Sequence, residues 1–321
     1  ATPTPHMSLT ALITGANVGL GYEACKQLAK EESMSKVILA CRNESKAKDA
    51  VTKLAEETGK PESFFEIVIC DVSNITTCRS AVESIKGKVD RVILNAGGMP
   101  PKATEIQENG VTTCFAQNVL GHAVLLEGLI AASKLNTGAR VVFSGSEGAL
   151  GMVLGPVTIS APVFASKDAD GVDMHLTGAP GEGGKPFKQD EDVYASAKGI
   201  GALYIGAMAR KHPKYHFATV SPGMTHGTDV VNKAPFPANL LFSFMMWIFN
   251  YLGKAHDVSF GCKRYVDQVM GKQDYPTGCF LASPEGATGD VANVTKIEKH
   301  AYYADTQLQD AAYEAVHRHT K

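Results

Sequence analysis

The sequence contains no Cys-x-x-Cys pair, no His-Glu-x-x-His spacing and no basic stripe, and each absence removes a class of function. Seven cysteines, at 25, 41, 70, 78, 114, 262 and 279, are scattered through apolar stretches. That argues against structural zinc and for reduced thiols in a cytosol-like compartment. Ten histidines without ligand spacing predict no metal; His317 and His319 read as solvated tail residues. Lysine and arginine are dispersed and the net charge is -2, so nucleic acid is not an expected partner. Ala1 to Met7 lack the pattern of a signal peptide and read as a flexible leader. The expected location is the cytoplasm, or an organelle stroma or matrix where a presequence has been removed. No Pro- or Ser-rich linker breaks the alternation of patterns, so residues 8–321 are expected to form a single domain.

What is present begins with Ser8 to Gly21. An apolar run, Leu9 to Ile13, ends in a turn carrying Gly15, Gly19 and Gly21, and a helical pattern follows to Glu31. Strand, glycine turn and helix open a dinucleotide-binding unit. Glycines let the backbone approach a pyrophosphate, and the free amides of the helix start receive its charge. An ordinary tight turn is the plain alternative, and the flanking strand and helix argue against it.

The alternation continues. Strands are expected over 36–41, 64–70, 89–94, 140–143, 217–220 and 278–282. Helices are expected over 44–58, 74–85 with Ser73 as cap, 111–135, from about Tyr194, and over 258–270; the tail from Val291 reads as helical. This predicts an α/β fold of the Rossmann type, a doubly wound parallel sheet. Its strand ends carry Gly15, Arg42, Asp71, Asn95 and Ser146 to one common edge. Periodicity fails over 149–192, where glycines and prolines mark a long insertion before the helix of Tyr194, read as an excursion over that edge with room for one short strand or helix. The segment 229–255 includes a strongly apolar stretch, Phe236 to Leu252, shorter than a membrane span and interrupted by Asn239, Ser243 and Asn250. It reads as core helix, as a lid over the substrate or as a membrane-touching surface. Together with Met152 and Val153 it points to an apolar substrate pocket.

Tyr194 and Lys198 lie one helical turn apart on one face. A phenol with a reference pKa of about 10 is a poor acid at neutral pH. A neighbouring ammonium is expected to lower it. The lysine could also hold a ribose hydroxyl. Ser146, at the end of a strand, can donate a hydrogen bond that polarises a carbonyl. Alone, the tyrosine and lysine are a common surface pair; with the glycine turn and the serine they are a site.

As a set, these residues resemble the short-chain dehydrogenase/reductase family over about residues 8–285. The glycine motif corresponds to Thr14, Gly15, Gly19 and Gly21, with Asn17, Val18 and Leu20 inside it. The Asn-Ala-Gly motif corresponds to Asn95, Ala96 and Gly97, the helix asparagine to Asn118, and the Pro-Gly motif to Pro222 and Gly223. The resemblance implies Ser146, Tyr194, Lys198 and Asn118 as catalytic, with Asn118 holding a water linked to Lys198. Ser144 is the alternative serine. Asp71 and Val72 resemble the adenine contacts. Where NAD-preferring relatives place an acidic residue, this chain has Arg42, so NADP(H) is the expected cofactor, with Asn17 assisting. The implied activity is hydride transfer from NADPH to a ketone, aldehyde or quinone of an apolar small molecule. Two other readings stand beside it: a double-bond reductase similar to light-dependent protochlorophyllide reductase, and an NADP(H)-binding sensor with little turnover. Motifs around Cys41 to Asn43, Asn118 to His122 and Gly184 to Lys188 are similar to protochlorophyllide reductases and retinol dehydrogenases; Met224 and Ser146 depart from the pigment enzyme. Monomeric carbonyl reductases carry a comparable insertion over the dimerisation helix, which implies a monomer.

Overall fold

A computed structural model describes residues 8–154, 157–181, 184–226 and 255–321. The leader 1–7 and nearly all of the apolar segment 229–255, with Phe236 to Leu252, lie outside the described residues.

Strand β1, Leu9–Thr14, is apolar along its length because both faces of the sheet are covered. It pairs in parallel with β2 (Met34–Cys41) on one side and β4 (Val89–Leu94) on the other. From β2 the sheet continues to β3 (Phe65–Ile69); from β4 it continues through β5 (Leu135–Ser144), β8 (His216–Val220) and β11 (Cys279–Ala282), while the short β9 (Thr225–His226) and β10 (His256–Asp257) pair with each other. Chain direction across the sheet therefore reverses between β1 and β4, and the crevice at their carboxyl ends is where such sheets bind ligands. The expected parallel sheet is present, with one addition. Among the described residues an eighth strand, β12 (Ala292–Asn293), pairs antiparallel with β11. Two residues carry too little alternation to be seen in sequence.

Alternation sorts each strand between two apolar layers. Leu12, Ile38 and Val92 face one cluster, packed beneath α3 (Ile75–Ser84), α5 (Gly121–Ala131) and α7 (Asp190–Lys211). Ile13, Leu39 and Ile93 face the other, beneath α1 (Gly19–Leu28), α2 (Glu44–Thr58) and the helix Val258–Met270. The predicted helix 111–135 is a short α4 (Thr113–Phe115), a π turn (Ala116–Leu120) and α5. Helix α7 begins four residues before Tyr194, with Asp190, Glu191 and Asp192 in its first turn, where the helix dipole favours negative charge.

Three expectations are corrected. Asn74, not Ser73, caps α3, accepting from Thr76 N at 3.0 Å; Ser73 bonds Asp71 instead. The 149–192 excursion is more ordered than its composition suggests: Met152–Leu154 (β6) pairs with Val157–Ile159 (β7), and α6 covers Ala169–Leu176. The tail is helical only over Thr306–Arg318; before it run two 3-10 turns, Val294–Lys296 and Glu298–Ala304.

At the start of α5, a Cβ on Gly121 would sit 1.9 Å from the Val72 carbonyl oxygen. Alanine gains about 1 kcal/mol of helix propensity over glycine, but the clash with fixed backbone costs about 1–3 kcal/mol. Gly121→Ala is therefore expected to lower the urea midpoint; an unchanged or higher midpoint would contradict this packing.

Candidate active site

Thr14 closes β1 and its hydroxyl organises the crevice. Thr14 Oγ1 accepts from the backbone N–H groups of Asn95 at 2.8 Å and Ala96 at 2.9 Å, and lies 3.0 Å from His122 Nε2. His122 Nδ1 is 3.2 Å from the Asn118 carbonyl oxygen. A carbonyl only accepts, so Nδ1 carries the proton, Nε2 accepts, and the Thr14 hydroxyl donates to it. Burial, reinforced by the charge of Lys198, pushes His122 down to about 3, which keeps the ring neutral. Asn95 donates its side-chain amide to Thr14 O at 3.0 Å and so braces the turn. Gly15 and Gly19 adopt positive φ, 63° and 58°. A Cβ on Gly21 would lie 2.2 Å from Gly15 O, so only glycine fits there. Helix α1 has no acidic residue in its first turn and Val18 at its start is exposed, leaving the amides to an anion.

Asn118 sits within the π turn, an irregularity common at functional sites. Its Oδ1 accepts from Gly98 N at 2.9 Å, and its Nδ2 donates to Gly98 O and Cys114 O, both at 2.9 Å. A Cβ on Gly97 would lie 2.4 Å from Oδ1. The side chain thus braces the loop at Gly97 and Gly98.

Ser146 leaves the end of β5 and caps the 3-10 turn Glu147–Leu150, its Oγ accepting from Gly148 N at 3.1 Å. Its hydroxyl stands near enough to Tyr194 to influence the phenol. Ser144 is engaged elsewhere: its hydroxyl lies 2.7 Å from Tyr265 Oη. Lys198, 2 % exposed, donates to Ser144 O at 2.9 Å and stands 5.6 Å from the centre of the Tyr194 ring. Burial lowers Lys198 to about 8. The expected lowering of the phenol is reversed: burial raises the Tyr194 pKa, and the nearby Ser146 hydroxyl opposes it only in part. The ammonium points at a carbonyl rather than at the phenol, and desolvation wins.

Arg42 is exposed at the end of β2. A cavity of about 480 Å³ between the glycine turn and α2 is lined by Asn17, Val18 and Gly19 together with Lys46 and Lys53 and the carboxylates Asp49 and Glu57. The two lysines were not singled out from sequence; Arg42, Lys46 and Lys53 recur at helical spacing, which is the signal that could have found them. Leu20 accepts from the Cys262 thiol at 3.5 Å. Asp71 Oδ1 is held by Ser73 at 2.7 Å, and Val72 is buried. Gly223, at φ 77°, lies against His256, next to Pro222. The glycine cradle and the open helix start, with the exposed Arg42 nearby in the chain, fit a phosphorylated dinucleotide.

The short chain dehydrogenase family profile matches residues 9–162. The chain is 36% identical over 141 residues to a short-chain dehydrogenase/reductase of Armillaria gallica, covering 42% of this chain and 44% of that protein. It is 38% identical over 281 residues to the WW domain-containing oxidoreductase of Drosophila melanogaster, covering 86% and 63%. The chain belongs to the short-chain dehydrogenase/reductase superfamily. The matches span less than two thirds of the length of these two relatives. The same fold is seen in the L-sorbose reductase of Gluconobacter frateurii, solved with NADPH and L-sorbose, at TM-score 0.62 and 16% identity, covering 88% of this chain and 98% of that one.

As a member of this superfamily the chain also carries a buried polar cluster that sequence reasoning missed. Glu147 pairs with Arg264 at 3.3 Å and bonds the Ser221 hydroxyl. Arg264 also donates to Ser221 O at 3.2 Å, Ser283 Oγ at 3.0 Å and Gly289 O at 2.7 Å. The cluster joins the chain leaving β5, β8 and β11, one residue from Ser146. The only signal in sequence was an acid directly after that serine. Removing one partner of a buried pair costs about 3–5 kcal/mol. Arg264→Met is therefore expected to lower stability by about 3 kcal/mol, and the Glu147→Gln/Arg264→Met double variant by less. Urea unfolding checks this; a single variant within about 0.5 kcal/mol of wild type would contradict it.

Proposed function

We propose that this protein is an NADPH-dependent reductase that delivers hydride to the carbonyl carbon of an apolar ketone, aldehyde or quinone. The observation that carries the reading is the convergence of Ser146, Tyr194 and Lys198 at the end of β5, beside the glycine turn. Bound NADPH supplies the hydride. Ser146 Oγ already accepts from Gly148, so its own proton is available to a substrate oxygen. Tyr194, held protonated by burial, donates the proton that the developing alkoxide takes up. Lys198 supplies positive charge behind the phenol and a donor for the nicotinamide ribose. Asn118 and Thr14 fix the loop of Asn95, Ala96 and Gly97 that forms the cofactor platform. Arg42, Asn17 and Lys46 favour the 2'-phosphate of NADPH.

A cavity of about 700 Å³ beyond Glu147, walled by Leu150, Met152, Val153 and Met224, supports an apolar substrate. Ser146 and Met224 favour a carbonyl or retinoid-type reductase over a pigment reductase. α6 and the C-terminal helix lie along α7, which supports a monomer. Seven free, buried thiols suit a reducing compartment.

NADPH oxidation is to be followed with a panel of apolar aldehydes, ketones and quinones. Tyr194→Phe is expected to lower kcat by about 100-fold or more while leaving NADPH binding intact. Retained turnover would remove the phenol from the mechanism. Arg42→Ala is expected to raise KM for NADPH by about tenfold and leave NADH unaffected; equal effects on both would end the 2'-phosphate assignment. Lys198 loses its charge as pH rises through about 8, so kcat/KM should fall on the alkaline side. A flat profile across that range would show that its charge is not required.

A further inference from the structure

One buried polar pair on α7 has no part in the reductase reading. His175 of α6 and Ser196 of α7 are 3 % and 1 % exposed, and His175 Nδ1 lies 2.6 Å from the Ser196 hydroxyl. The other ring nitrogen, Nε2, is 3.2 Å from the Val163 carbonyl oxygen. A carbonyl only accepts, so Nε2 carries the proton, Nδ1 accepts, and the Ser196 hydroxyl donates to it. The rings of Phe164 and Phe187 enclose the imidazole, at 4.8 and 5.9 Å between centres. Burial lowers His175 to about 4, so the ring is neutral near physiological pH and able to accept from Ser196.

Two residues along an α-helix are about 200° apart, so Ser196 lies on the side of α7 away from Tyr194, and His175 grips the helix from behind. Other bonds from the insertion to α7 stand at the surface: Asp192 Oδ1 accepts from Ser160 N at 2.8 Å, and Gln189 Nε2 donates to Thr158 O at 2.7 Å. The bond between His175 and Ser196 is shielded from water, which makes it the stiffer attachment. The next residue of α6 carries the connection further. Leu176 O accepts from Thr112 N at 2.9 Å. The Thr112 hydroxyl accepts from Phe115 N at 3.4 Å and caps the short α4 that runs into the π turn of Asn118. A Cβ on Gly178 would lie 3.0 Å from Thr112 Cγ2, so the two segments are in contact. Through adjacent residues, α6 thus bonds the helix of Tyr194 and Lys198 on one side and the segment of Asn118 on the other.

We propose that His175 and Ser196 are positioning residues for the reaction: their bond seats α7 on α6 and so fixes Tyr194 and Lys198 relative to Asn118 and the loop it braces. The inference rests on the reductase reading only for what Tyr194 and Lys198 do; the seating stands on the bonds of α6. Part of the long insertion before α7 thereby acts on the reaction from behind the helix.

The test compares wild type, Ser196→Ala, His175→Phe and His175→Asn. Phenylalanine suits the aromatic surroundings and makes neither bond; asparagine puts an amide oxygen where Nδ1 stands and keeps the bond from Ser196. NADPH turnover with the carbonyl compound that wild type reduces fastest is expressed per NADPH-binding site, counted by calorimetric titration, so that unfolded protein does not enter. Ser196→Ala and His175→Phe are expected to lower kcat about tenfold and to change KM for NADPH by less than about twofold. His175→Asn should recover most of kcat. Unchanged kcat per site in Ser196→Ala, whatever its urea midpoint, would overturn the proposal, as would a loss in His175→Asn equal to that in His175→Phe. Should His175→Phe fail to fold, Ser196→Ala, which removes a single oxygen, decides. Hydrogen exchange on the NADP+-loaded proteins needs no substrate. Ser196→Ala is expected to speed exchange about tenfold in both 112–118 and 190–198. That result in a protein that reduces no carbonyl compound would support the seating and sink the reductase reading alone. Exchange speeded within 157–181 but in neither of those two segments would sink the seating whatever the turnover.

Discussion

The Thr14 hydroxyl is the interaction on which the rest of the site depends. It receives two backbone amides from the loop after β4 and donates a hydrogen bond to a histidine that burial keeps neutral. That histidine in turn donates to the carbonyl of Asn118, whose side chain braces the Gly97–Gly98 backbone. β1, β4 and the π turn are thereby locked at the point where the sheet reverses direction. Every group in the chain of bonds is satisfied, and in a buried setting that is what makes such a network rigidifying rather than costly.

A second polar cluster does similar work on the other side of Ser146. Glu147 and Arg264 gather the ends of β5, β8 and β11, just as Thr14 gathers β1 and β4. Between the two clusters stand Ser146, Tyr194 and Lys198. α7 can approach so closely because glycines face its neighbours; a Cβ on Gly201 would lie 2.4 Å from the Phe143 ring. Deep burial costs Lys198 basicity, and the partly buried Tyr194 loses acidity; in the proposed mechanism the phenol holds its proton until an oxyanion forms.

Much of this was legible in sequence, for identifiable reasons. Parallel strands covered on both faces appear as apolar runs, so Leu9–Thr14 and Val89–Leu94 could be bounded closely. Phosphate turns require glycine at fixed places, and Gly15, Gly19 and Gly21 stood there. Long-range polar pairs leave no such trace: Arg264 lies 117 residues from Glu147, and nothing in either neighbourhood names the other. What engages Ser144 is visible only in space: its hydroxyl meets Tyr265, far along the chain. The direction of the Tyr194 shift also escaped, because spacing on a helix shows proximity to a cation but not the burial that outweighs it.

The central claim is that this site moves a hydride to a carbonyl carbon. It is tested most directly with NADPH deuterated at the transferable position and an apolar aldehyde, with mass spectrometry of the alcohol formed. The account predicts a single deuterium on the carbinol carbon. Tight NADPH binding without labelled alcohol from any carbonyl compound would contradict it and leave a cofactor-binding protein without turnover.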